Sequence, residues 1–164
     1  MGEKKKLTGL KVILGVVGGF FAANMAGTAY LSASAGKKMK ANSNGNNMMY
    51  SVALGTKKVD VKADTDHAYI NCVTGVAEIE VTDIPSHYDM YIELGSIFAV
   101  YAMKLPEGLR VSIEGNGHHS IVNNQYGEDI DKSLPTVHII VENARCSVIN
   151  VVKTKSEKEY TELN

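Results

Sequence analysis

Five histidines, two cysteines and a short acidic cluster are the side chains of this sequence with the most versatile chemistry. His118 and His119 follow Gly115-Asn116-Gly117, a turn-forming triplet. Adjacent residues on a strand point to opposite faces, so the pair could share a metal ion only on an irregular turn. The spacing reads as a polar corner. Asp64, Asp66 and His67 form an Asp-x-Asp-His cluster that could face a cation, but the remaining oxygen ligands of a calcium loop are missing, so it reads as a solvated loop. His67, His87 and His138 complete the five histidines. Cys72 and Cys146 are too far apart in sequence for a CxxC redox or zinc pair. Each lies in an apolar run, which reads as two small buried hydrophobes, with a disulfide left open.

Nucleotide and acyl-transfer chemistry find no foothold. There is no Gly-x-Ser-x-Gly elbow, and no phosphate-binding glycine loop between a strand and a helix. The net charge of −1 lacks the basic surface that nucleic acid requires. The expectation is a non-enzymatic chain with no catalytic residue, cofactor or metal, and no nucleic-acid partner.

The elements that would carry these residues divide at about residue 40. From Val12 to Gly36 there is no charged side chain, with Lys4, Lys5, Lys6 and Lys11 before the run and Lys37, Lys38 and Lys40 after it. Val12–Leu31 as a helix is about 30 Å long, the thickness of a bilayer core. A transmembrane helix over 12–35 is therefore expected, behind a basic flank at 1–11. Gly15, Gly19, Ala22 and Ala26 repeat a small-residue spacing that would let a second helix approach, and Asn24 sits mid-span. Two other readings stand beside it. Ala33-Ser34-Ala35 before Gly36 fits a signal-peptidase site, which would release a secreted domain. A short glycine-rich amphipathic or soluble helix is the third. The lysines at both ends favour an inside N-terminus and an extracytoplasmic body only slightly. The run and its Ser-Ala-Ser-Ala-Gly-Lys-Lys tail resemble the glycine-rich membrane segment of YtxH-like small stress proteins.

A polar linker is expected at 36–47, a β-domain at 48–153 and a charged tail at 154–164. In the β-domain apolar and polar residues alternate, as at Val59/Val61, Ile79/Val81, Ile92/Leu94, Leu109/Val111/Ile113 and Val137/Ile139/Val141. Thr74-Gly75, Ile84-Pro85-Ser86, Pro106-Glu107-Gly108 and Gly115-Asn116-Gly117 punctuate the strands. Segments starting at Ala68, Met90, Arg110 and His138 share one layout, strand–corner–strand, with Ile70, Ile92 and Ile113 standing 22 and 21 residues apart. The fourth segment is offset by an insertion at 123–135. Such spacing predicts an all-β, solenoid-like or rolled domain, with an antiparallel sandwich as the alternative.

The corner Leu94-Gly95-Ser96-Ile97, the strand–turn–strand from Met103 to Ile113 and the Leu-Gly-centred pair at Met49–Val61 resemble the C-terminal domain of the LiaF-like, cell-wall-active-antibiotic-response family. They also resemble the related adhesin-head domains of cell-envelope proteins. The resemblance implies a membrane-tethered module that acts through protein contacts in envelope stress. Self-assembly through β-solenoid ends is the alternative function, and a secreted adhesin-like domain a further one.

Overall fold

The computed structural model describes residues 2–42, 44–86, 89–127 and 131–154, with backbone alone for 2–18. One helix, α1 (Gly2–Ala41), precedes seven strands: β1 (Asn47–Val61), β2 (His67–Val81), β3 (Asp89–Pro106), β4 (Arg110–Glu114), β5 (Ile121–Asn124), β6 (Thr136–Ala144) and β7 (Val148–Thr154). Every strand pairing is parallel. This excludes the antiparallel sandwich and makes the domain a β-solenoid of two-sided coils.

Each coil runs along one face, turns a corner and returns along a second face. Val52, Cys72 and Ser96 stand in register before the corner; Leu54, Thr74 and Phe98 stand in register at it. Gly75 holds φ +139° beneath Gly55, and a Cβ there would overlap the Gly55 carbonyl oxygen. Only glycine turns the chain so close to the neighbouring coil.

Inward residues of both faces meet in one core: Ile70, Ile92, Leu94 and Ile139 from the first face, Ile79, Tyr101, Met103 and Ile149 from the second. Aliphatic residues stack on their own kind from coil to coil, which is the basis of the internal similarity in the sequence.

The coils do not stack in chain order. In space the first-face order is β1-β2-β3-β6-β4, while β7 lies between β3 and β5. The coil made last, β6–β7, is thus inserted between β3 and the coil β4–β5. The expected insertion at 123–135 begins inside β5, with Asn123 and Asn124 paired to β7, and its remainder connects β5 to β6. Tyr126 fastens the crossing: its hydroxyl donates to Pro106 O at 2.7 Å and accepts the Leu109 N–H at 3.4 Å.

The helix runs on to Ala41, past the expected boundary at 35, so the expected linker shrinks to a turn before β1. Asn24, Gly27, Leu31 and Ala35 form a buried stripe at helical spacing. They lie against the outer side of the first face, and this explains why β2 is buried on both sides from Ala68 to Val73. Among the residues whose side chains are described, which in α1 begin at Gly19, no helix is long and apolar enough to cross a membrane. The expected tail lies outside the described residues apart from Thr154, as does His87.

Candidate functional site

Two features of the first face stand out, and α1 borders both. The first is the helix contact itself. Gly27 comes so near the sheet that a Cβ on it would meet Ile97 Cδ1 at 2.7 Å and Val73 Cγ1 at 2.9 Å. Ser32 and Ser51 share a hydroxyl hydrogen bond of 2.9 Å. Lys38 Nζ pairs with Glu93, whose Oε1 also accepts from Asn143 Nδ2 at 2.8 Å. Asn24 is 6% exposed; its Nδ2 donates to Phe20 O at 2.9 Å, and its Oδ1 has no partner. Ala22 and Ala26 face away from the sheet and are exposed, as are the large side chains Phe20, Phe21, Met25 and Tyr30. Of the four residues expected to form a helix-association face, the structure thus places Ala22 and Ala26 in the open, and Gly19 beside them is exposed too. Gly15 belongs to the backbone-only part.

The second feature is a ring ladder. Register puts His67 on Tyr91 and Tyr91 on His138. Their rings stack with centroids 4.7 Å apart and planes 12° apart at both steps. The spacing equals that between neighbouring strands, so the backbone dictates the stack. His138 Nδ1 lies 2.7 Å from Glu114 Oε1, and its Nε2 lies 3.4 Å from Asp89 Oδ1. Beside the ladder a cleft of about 420 Å³ opens between the end of α1 and the strand starts, lined by Asn42, Asn44, Asp66, His67, Asp89 and Tyr91 among others. Sequence spacing alone hides this ladder, because the 24-residue step from His67 to Tyr91 and the 47-residue step to His138 become equivalent only once the coils are in register.

The remaining candidates take structural places. Asp66 Oδ2 accepts the Asn46 N–H at 2.6 Å and closes the turn into β1, while Asp64 is exposed. The Asp-x-Asp-His cluster therefore splits between a turn and the ladder. His118 and His119 do sit on an irregular corner, His119 with φ +56°; the His118 N–H donates to Ala144 O at 2.8 Å. Among the described residues, no three His, Cys, Asp or Glu side chains converge to hold a metal ion.

Cys72 and Cys146 are free thiols, the first buried and the second exposed. Burial pushes the Cys72 thiol up to about 11, so it is protonated and unreactive at neutral pH. Tyr101 caps it from the second face: the Cys72 N–H donates to Tyr101 Oη at 3.2 Å, and the Tyr101 hydroxyl donates to Gly95 O at 2.6 Å. Burial also raises the Tyr101 phenol, with Cys72 a further cause. Ser96 and Ser147 bond each other inside the corner at 2.5 Å, with no described histidine on either hydroxyl. The described geometry offers apolar and polar contact surface, and no pairing of a nucleophile with a base.

No protein-family model matches the chain, and neither the curated proteins nor the solved structures contain a match to it.

Proposed function

We propose that this chain is a non-enzymatic, single-pass membrane protein whose β-solenoid works extracytoplasmically through protein contacts, in a cell-envelope stress response. The observation that carries this reading is the charge-free run Val12–Gly36 between two lysine clusters, joined by only a short turn to the solenoid. A run of that length and composition suits a bilayer, and a rigid solenoid beside it suits a docking platform. The partners it favours are the lipid bilayer and either a membrane protein or a second copy, reached through the helix face of Gly15, Gly19, Ala22 and Ala26. The exposed Phe21, Met25 and Tyr30 beside that face add apolar contact area.

Membrane attachment is tested by extracting cell membranes with alkaline carbonate. The full chain stays in the pellet, and its release into the supernatant would sink the reading. Sidedness is tested with a membrane-impermeant maleimide on Cys146. Labelling in intact cells places the solenoid outside, whereas labelling only after lysis places it inside.

Self-assembly is the second reading, favoured by the solenoid's two ends. Among the described residues β1 pairs with β2 alone, while β4 and β5 end the other side. Unpaired strand edges are templates for a further strand. Sedimentation of residues 41–164 over a range of concentrations separates the two readings: growing polymers favour stacking, a constant monomer removes it.

A further inference from the structure

The helix contact and a membrane span make incompatible demands on the same residues. Among the residues of the docked helix whose side chains are described, the buried stripe begins at Asn24. The uncharged residues before it, Val12–Ala23, reach only about 18 Å as a helix, against a bilayer core of about 30 Å. Counting about 20 residues back from Ala23 would carry Lys11, Lys6, Lys5 and Lys4 into hydrocarbon, where ammonium groups are strongly disfavoured. A span free of charge needs the residues from Val12 to about Leu31, and Asn24, Gly27 and Leu31 are the ones packed on the sheet.

We infer that the bilayer and the protein's own first sheet face compete for the segment from Asn24 to Leu31, so that insertion of the helix uncovers that face. This rests on the membrane attachment proposed above. The docked contact is built to be given up. Its stripe is made of small residues apart from Leu31, it leaves Asn24 Oδ1 without a partner, and its polar links are peripheral ones, Ser32–Ser51 and Lys38–Glu93. Undocking exposes Asn71, Val73, Gly95 and Ile97, a strip apolar at one end and amide-bearing at the other. In the docked form that strip is covered by α1; with the helix inserted it is uncovered.

Ser32 and Ser51 supply the test, since their hydroxyls touch. Ser32→Cys and Ser51→Cys are combined in a chain with Cys146→Ser, and oxidation locks the helix down. The full chain, reduced or oxidised, is mixed with phosphatidylcholine–phosphatidylglycerol vesicles and treated from outside with trypsin. Mass spectrometry then reads cleavage at Lys4, Lys5, Lys6 and Lys11. The expected result is at least tenfold protection of these lysines in the reduced chain and none in the oxidised one. Equal protection in both would overturn the competition, because the helix would then span while docked. Failure of the disulfide to form in the vesicle-free chain overturns it as well, since docking itself would be absent. A reduced chain that floats with vesicles yet keeps its lysines cleavable contradicts the span. A reduced chain that does not float at all removes membrane attachment, which is a separate failure.

Discussion

At the corner of the solenoid, Gly55 and Gly75 have the same residue type and a similar backbone, yet they carry different burdens. A Cβ on Gly55 would meet nothing within 4 Å, whereas one on Gly75 would overlap the Gly55 carbonyl. Gly55→Ala should therefore cost only the positive-φ strain, about 1–2 kcal/mol. Gly75→Ala should cost more than about 3 kcal/mol or prevent folding. Urea midpoints of the two variants measure the difference, and equal midpoints would show that the close approach is absent. The two thiols differ in the same positional way. Cys146 should react with a thiol reagent at neutral pH within minutes, and Cys72 only on unfolding. The raised Cys72 value also has a pH consequence. The folded chain keeps that proton up to about pH 11, while the unfolded chain releases it near the ordinary 9.0, so stability falls as pH rises through that window. Tyr101, raised mainly by its burial, continues the loss above its ordinary 10.0. Cys72→Ala should flatten the fall between about pH 9 and 10 and leave only the shallower fall due to Tyr101 above it, as read from denaturation midpoints across pH. Little of this was legible beforehand. Thr74-Gly75 is a visible turn signal, but nothing in it reveals which glycine lies under another coil, and two cysteines in similar apolar runs end up on opposite sides of the surface.

At the scale of elements, the strands and the helix respond to different rules. The period-two alternation from Val59 to Val141 marks strands because one side of each faces a core, and the structure has strands there. The helix is legible as a helix but not as a docked one. Asn24, Gly27, Leu31 and Ala35 lie in an uncharged run, where a polar–apolar contrast is too weak to mark a stripe facing protein. Leu31 is the large side chain of that stripe, and Leu31→Ala should weaken docking by about 2 kcal/mol. Hydrogen exchange checks it in the membrane-free chain: amides from residue 24 to 38 should exchange about tenfold faster or more, while those of β2 and β3 keep most of their protection. Uniform acceleration across helix and strands would mean that the helix is an integral part of the core. The ring ladder sits between these two cases. Its residue types were visible as isolated histidines and tyrosines, but their stacking depends on inter-strand register.

The whole molecule depends on a stacking order that differs from chain order. The coil β4–β5 touches the rest of the sheet through β6 and β7, which come after it in sequence. A chain ending at Asn124 should therefore leave residues 110–124 unpaired and uncover the β3 side of the core. Proteolysis should remove that segment first, while β1–β3 resist longer. Survival of residues 110–124 in such a chain would show that they can pair directly with β3. By itself, the sequence determined that residues after about 47 form repeated strand–corner–strand segments with turn residues between them, and that residues 12–36 form an uncharged helix. Both properties are written in local side-chain periodicity, which needs no knowledge of neighbours. Tertiary structure alone decided that the last coil is inserted second from one end, between β3 and the β4–β5 coil, that His67, Tyr91 and His138 stack, and that the uncharged helix lies on the sheet. Each of these is a pairing between distant segments. Many pairings satisfy the same pattern of apolar residues, and shape at Gly27, Gly75 and Tyr126 selects among them.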